Sequence, residues 1–217
     1  MDGRWLRSSG SNALAPVGAA PVTWTRTLEL DRFDRMLLTT DGTVTTLLEA
    51  CTGEPIVTRT TRQSGPATLD ELRASPGCWW HPSPELLEVV PSERLLARRV
   101  MLSGARSGIA YVMAEALVAP DRLPELTAHA LLRPGASLGR LLADGRLETR
   151  RELLGISAVR AGTVSQHLGV RSSTRLVRRT YLIVLDGRSV AAVSEWLCPG
   201  RLAGSAPAET SNFVVDL

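Results

Sequence analysis

Lysine is missing from this sequence: all 25 basic residues are arginine, set against 22 acidic ones for a net charge of +3. Arginine codons are rich in G and C and lysine codons are not, so coding bias explains the absence better than a basic partner does. The acids lie among the bases, and aromatic residues make up only 4% of the chain. A nucleic-acid binder would show a segregated basic face with stacking aromatics, and neither is present. No apolar run approaches the roughly 18 to 20 residues of a membrane span. The Ala-rich stretch from Asn12 to Val22 is broken by Pro16, Gly18 and Pro21, which makes a poor signal peptide. The expectation is a soluble, cytoplasmic protein with neither nucleic-acid nor membrane partners.

Metal-binding residues are sparse as well. Cys51, Cys78 and Cys198 are far apart without a CxxC pair, and His81, His129 and His167 stand alone. A structural zinc needs four clustered ligands and a catalytic one three, so no metal is expected. An odd cysteine count without a secretory signal favours reduced thiols. There is no GxSxG nucleophile elbow, no GxxxxGK[ST] phosphate loop and no GxGxxG following a strand. Gly104 and Gly108 read as turn glycines, because a strand follows them where a phosphate loop would need a helix. No cofactor is expected.

What remains is one domain with appendages: 217 residues, 44% of them apolar. Residues 1–27, rich in Gly, Ser, Ala and Pro, read as an arm, and 203–217 as a tail whose Phe213, Val214 and Val215 could dock. Between them, 28–202 carries the periodic patterns. Leu30, Phe33, Met36 and Leu37 recur at helical spacing, and a second helix spans about 43–51 before Gly53. Residues 54–64 alternate as a strand, 66–84 read as irregular around Trp79-Trp80, and a short helix follows to about 90. Strands at 94–102 and 109–118 form a hairpin, a helix runs to about 132, and a further helical turn covers 137–142. A strand at 146–156 precedes a closing hairpin, 175–185 and 189–197, joined at Asp186-Gly187. Helices first and hairpin-linked strands after make the class α+β.

Two charges stand out on strand faces that otherwise read apolar. Leu96, Arg98, Val100 and Leu102 share one face by period two, as do Ala191, Val193, Glu195 and Leu197. A charge in an apolar stripe is costly unless it pairs with another residue or with a ligand. An Arg–Glu pair, an arginine whose tip reaches water, and a carboxylate-binding pocket all satisfy that pattern.

Further segments carry a family likeness. They are Thr40 to Thr45 with Leu47-Leu48, Leu96 to Leu102, Ala114 to Leu117 running into Asp121 to Pro124, Leu138-Gly139-Arg140, Leu147 to Thr149, Arg178-Arg179, and Gly187 to Glu195. In this order the chain resembles the chorismate pyruvate-lyase (4-hydroxybenzoate synthase) family, its mycobacterial branch above all. The resemblance implies a strongly curved six-stranded antiparallel sheet with helices closing an internal ligand cavity, a fold also used by effector-binding domains of transcription regulators. It implies that Arg98 grips the ring carboxylate, that a backbone N–H at Leu138 assists, and that Glu195 contacts the ring oxygen and can serve as base in a dry pocket. Gly139, Arg140, Glu115, Arg178, Trp79 and Trp80 join the substrate-binding candidates, with Arg140 placed to reach a second carboxylate. Ser194 before Glu195 and Trp196-Leu197 after it depart from the family pattern, and Trp79-Trp80 has no counterpart there. Three functions fit: a cofactor-free lyase releasing pyruvate from chorismate, the same pocket repurposed as a cyclase for a polyketide intermediate, or a ligand-sensing module. Oligomeric state is not legible.

Overall fold

The structure, a computed structural model, describes residues 30–75 and 79–202; the arm at 1–27, Cys78 and the tail at 203–217 lie outside the described residues. In chain order the elements are α1 (Arg32–Thr39), α2 (Val44–Thr52), β1 (Ile56–Thr68), α3 (Leu69–Ala74), a 3-10 turn (Pro84–Leu87), β2 (Arg94–Gly104) and β3 (Ala110–Val118). After a second 3-10 turn (Pro120–Arg122) come α4 (Glu125–Leu131), α5 (Leu138–Asp144), β4 (Thr149–Arg160), a third such turn (Gly162–Val164), α6 (Ser165–Leu168), β5 (Arg175–Leu185) and β6 (Arg188–Leu197). The six strands form one antiparallel sheet in the order β1-β2-β3-β6-β5-β4.

Local chemistry sets the boundaries. Asp31 caps α1, with the Asp34 side chain returning the bond, and Gly53 ends α2 in the left-handed conformation. Thr68 and Glu71 form a second capping box that starts α3, inside a stretch the sequence pattern left irregular. Asp186 and Gly187 both adopt positive φ (50° and 76°), the signature of the two-residue turn that matches strand twist, and Leu185 pairs with Arg188 across it. β1 and β4 both run four residues beyond the expected ends, because pairing continues to Thr68–Arg94 and Arg160–Arg175. Register shifts at Thr60/Arg62, Ser64/Ala67 and Leu153/Gly155 interrupt those two edge strands, where bulges bend the sheet.

Both faces of the sheet are covered. On the inner face, α1 and α2 pack over Leu102, Val112, Val177 and Leu197, while α4 and α5 pack over Leu96, Val118, Ile183 and Val193. The outer face carries α3 and the first 3-10 turn over Leu95, Ala97 and Leu117 at one end, and α6 over Met101, Met113 and Trp196 at the other. The two inner clusters sit at opposite ends of the strands. Between them, β3 presents only Ala114 and Ala116, so the helices cannot fill the space in the middle of the face.

Candidate active site

A pocket of about 650 Å3, its open mouth included, occupies that middle region. Its floor is the inner face of the sheet: Arg98 and Val100 from β2, Ala114 and Ala116 from β3, Val193 and Glu195 from β6, and Tyr181 from β5. The start of α2 (Thr43–Thr45), the segment Ala136–Gly139 leading into α5, and Arg151 of β4 complete the wall. Register places the side chains in two adjacent cross-strand rows. One runs Arg98–Ala116–Val193–Tyr181 and the next Val100–Ala114–Glu195–Arg179. From strand spacing and rise, the Cα atoms of Arg98 and Glu195 are separated by roughly 12 Å, with the two alanines between them.

Arg98 is only 3% exposed and has no carboxylate among its partners within the described residues. Its guanidinium donates to three neutral acceptors: Gln63 Oε1, Thr60 Oγ1 and the Ala136 carbonyl, each at 3.0 Å. Burial pulls its pKa down to about 10, so it is still a cation at neutral pH. A buried charge held by neutral groups alone is costly.

Glu195 is different. Its Oε2 accepts from Arg179 Nε at 2.6 Å and its Oε1 from the Tyr181 hydroxyl at 3.0 Å. Arg179, 1% exposed, also donates to the Leu37 and Thr40 carbonyls, tying the pair to the end of α1. Burial pushes the Tyr181 phenol well above its usual range, and Glu195 adds to the effect, so Tyr181 is a hydrogen-bond donor here and not a base. Each carboxylate oxygen offers two acceptor sites, so Glu195 can still receive a ligand hydroxyl.

Leu138 and Gly139 line the pocket in the first turn of α5, where backbone N–H groups have no partner within the helix. Gly139 is needed for that approach: a Cβ there would meet Thr43 Cγ2 at 2.9 Å. The other candidates lie elsewhere. Arg140 turns outward, half-exposed, and pairs with Glu49 of α2. Glu115 and Arg178 point to the outer face by strand alternation. Glu115, fully buried, takes Arg99 on one oxygen and His81 on the other, and Arg178 lies opposite Trp196. Trp79 and Trp80 pack with the outer cluster under α3, and Arg62 and Arg99 sit over the Trp79 ring. None of these five lines the pocket.

Three pocket-face residues were not singled out by the sequence: Arg179 as the partner of Glu195, Tyr181 two residues on, and Arg151. For the first two, period two from a correctly placed β5 was the available signal. Among the described residues no three His, Cys, Asp or Glu side chains converge as metal ligands, and no helix is long and apolar enough to cross a membrane.

Residues 38–203 match the family described as Chorismate pyruvate-lyase Rv2949c-like. The chain belongs to this chorismate pyruvate-lyase family. It is 30% identical over 172 residues to a chorismate pyruvate-lyase of Mycobacterium leprae, covering 77% of this chain and 75% of that protein. It is 27% identical over 168 residues to one of Mycobacterium tuberculosis (strain H37Rv), covering 77% and 80%. Among solved structures, the effector domain of PhnF from Mycobacterium smegmatis aligns at a TM-score of 0.54 and 16% identity, over 75% of this chain and 91% of that one. That likeness is one of fold. Arg98, Leu138 and Glu195, the three residues singled out first in the sequence, all line the one pocket described above.

Proposed function

We propose that the protein is a cofactor-free lyase that removes pyruvate from chorismate and leaves 4-hydroxybenzoate. The observation that carries this reading is Arg98, a buried guanidinium facing the pocket with only neutral acceptors around it. A ring carboxylate there would supply the missing counter-charge through two parallel charge-assisted hydrogen bonds. Backbone N–H groups at Leu138 and Gly139 would take the same carboxylate, and Glu195 would accept the ring hydroxyl at the other end.

The chemistry is redox-neutral. The C–H bond at the hydroxyl-bearing ring carbon breaks, its electron pair becomes a ring double bond, and the neighbouring ether C–O bond breaks toward oxygen. The released enol takes the proton on its methylene carbon and becomes pyruvate, and aromatisation drives the step. Arg179 and Tyr181 each donate to one Glu195 oxygen and leave a second acceptor site on each for the ring hydroxyl, so we assign Glu195 to orienting that hydroxyl and not to carrying the proton away. Holding the substrate in one reactive pose is then the protein's main contribution.

The test is direct: purified protein with chorismate, in the presence of EDTA, should release pyruvate and 4-hydroxybenzoate in equal amounts. Tight 4-hydroxybenzoate binding without pyruvate release would leave a ligand-sensing module. Absence of both would favour the cyclase on a polyketide intermediate.

A further inference from the structure

Two arginines line the pocket, and Arg98 is only one of them. Arg151 reaches in from β4, and no carboxylate is paired with it among the described residues. Its Nη1 donates to the Asp41 carbonyl at 2.5 Å, and its Nε is buried with no hydrogen-bond partner. Its Nη2 approaches α5, 3.7 Å from where a Cβ on Gly139 would stand. The other inner-face guanidinium, Arg179, also has a buried Nη2 without a partner, but its charge is already matched by Glu195 and it does not line the pocket.

Position matters as much as charge. Arg151 pairs with Ile183, which continues through Ala191 to Val118, a cross-strand row adjacent to that of Arg98 and Tyr181. Three strands separate Arg151 from Arg98, and the Glu195–Tyr181 pair lies on the strands between them. In a ring held with its carboxylate on Arg98 and its hydroxyl on Glu195, one of the two positions beside that hydroxyl faces β4. Chorismate carries its enolpyruvyl ether, and with it the second carboxylate, at a position beside the hydroxyl.

We infer that Arg151 is the specificity-determining residue that holds the second carboxylate of a dicarboxylate substrate, on the group that departs. The inference rests on the lyase reading for the identity of that substrate. It transfers to Arg151 the role that sequence order gave to Arg140, which Glu49 holds at the surface. The partnerless Nε and the Nη groups beside it can donate to a carboxylate without breaking the Asp41 contact. As the ether bond breaks, negative charge grows on the departing enol, and a fixed cation at its carboxylate steadies the charge where it develops.

The product lacks the second carboxylate, so product and substrate separate the possibilities. For Arg151→Gln, kcat/KM with chorismate should fall about 10- to 100-fold, the worth of a charge-assisted hydrogen bond. The Kd for 4-hydroxybenzoate should stay within about threefold, and Arg151→Lys should recover part of the lost efficiency. Equal loss for both ligands with a lowered melting temperature would reduce Arg151 to a clasp between β4 and Asp41, and overturn the inference. Unchanged efficiency would overturn it too. If the wild-type protein releases no pyruvate, calorimetric binding of the same two compounds decides. A wild-type preference for chorismate that Arg151→Gln abolishes would uphold the dicarboxylate site while the lyase reading fails. No preference in the wild type would sink both.

Discussion

The two faces of the central sheet each bury one glutamate among arginines, yet they treat the charges in opposite ways. On the outer face Glu115 is saturated: Arg99 Nε reaches one oxygen at 2.8 Å, and the His81 backbone N–H and ring Nδ1 reach the other at 2.8 and 2.6 Å. Arg99 has a further acceptor in the Trp79 carbonyl, and the His81 ring sits edge-on to Trp196. On the inner face Glu195 is likewise matched, by Arg179 and Tyr181, but Arg98 has only neutral partners and Arg151 keeps a bare Nε. Neighbours in sequence, Arg98 and Arg99 therefore differ in kind. A buried charge with its counter-charge in place holds the fold together, whereas one without it is a cost the fold tolerates and a ligand can relieve.

The largest expected effect breaks the matched pair. Arg179→Ala strips Glu195 of its cation in a site that is nearly dry, and removing one member of a buried pair costs about 3 to 5 kcal/mol. For a domain of this size that is a fall in melting temperature of roughly 6 to 20 °C, measurable by calorimetry. A change within 2 °C would mean that Glu195 does not depend on this pair. Arg98→Ala should move the other quantity. Binding of 4-hydroxybenzoate should weaken by about 2 to 5 kcal/mol, while melting temperature holds or rises because an uncompensated buried charge has gone. A drop in melting temperature like that of Arg179→Ala, with affinity retained in the folded fraction, would make Arg98 a structural residue.

Glu115→Gln sharpens the contrast from the outer face. It should lower the melting temperature, since Arg99 loses its ion pair, yet leave kcat/KM with chorismate within about threefold because Glu115 does not line the pocket. A larger activity loss at unchanged stability would couple the two faces. Glu195→Gln probes the chemistry on the inner face. If Glu195 only orients the hydroxyl, turnover should fall by less than the ~100-fold at which acid–base assistance begins. A loss between ~10² and ~10⁴ would restore it as the proton acceptor.

Much of this contrast was legible in the sequence, up to the point where strands had to be laid side by side. Period two on β2 and β6 is a property of each strand alone, so Arg98 and Glu195 could be picked out before any pairing was known. Which residue meets which depends on register, and register follows from turns and bulges far along the chain. The inward member of Arg178-Arg179 was therefore undecided, and the arginine that pairs with Glu195 is Arg179, not the Arg98 that one of the open alternatives would have put there. Arg151 was out of reach for the same reason: its face is fixed by the pairing of β4 with β5 up to the shift at Leu153/Gly155. Trp79 and Trp80 illustrate a different limit. Large aromatics must be buried somewhere, and composition alone does not say against which face. The α3 capping box, by contrast, stood in plain view as Thr68 and Glu71, masked by the prolines and glycines around it.

A third carboxylate gives the smallest predicted effect and separates charge from pairing. Glu54, two residues before the start of β1, has no arginine side chain among its hydrogen-bond donors in the described residues. It accepts from the Ser107 hydroxyl at 2.6 Å, from the backbone N–H groups of Arg106 and Ser107 at 2.8 and 3.0 Å, and from Tyr111 at 3.3 Å, fastening the turn between β2 and β3. These donors, Ser107 first, hold its pKa at about 2 against an ordinary 4.5. A lowered pKa in the folded state adds stability that is fully present above 4.5 and is lost as pH falls toward 2. Glu54→Gln should therefore be less stable than the wild-type protein in urea at pH 7, with the gap closing through that acid window. Because the donors are neutral, the gap at pH 7 should change little with added salt, unlike that of an exposed ion pair. A gap that stays constant from pH 7 to pH 2 would mean that Glu54 acts through its shape and not its charge. The rule drawn from the two faces would then fail at the carboxylate where it is easiest to isolate.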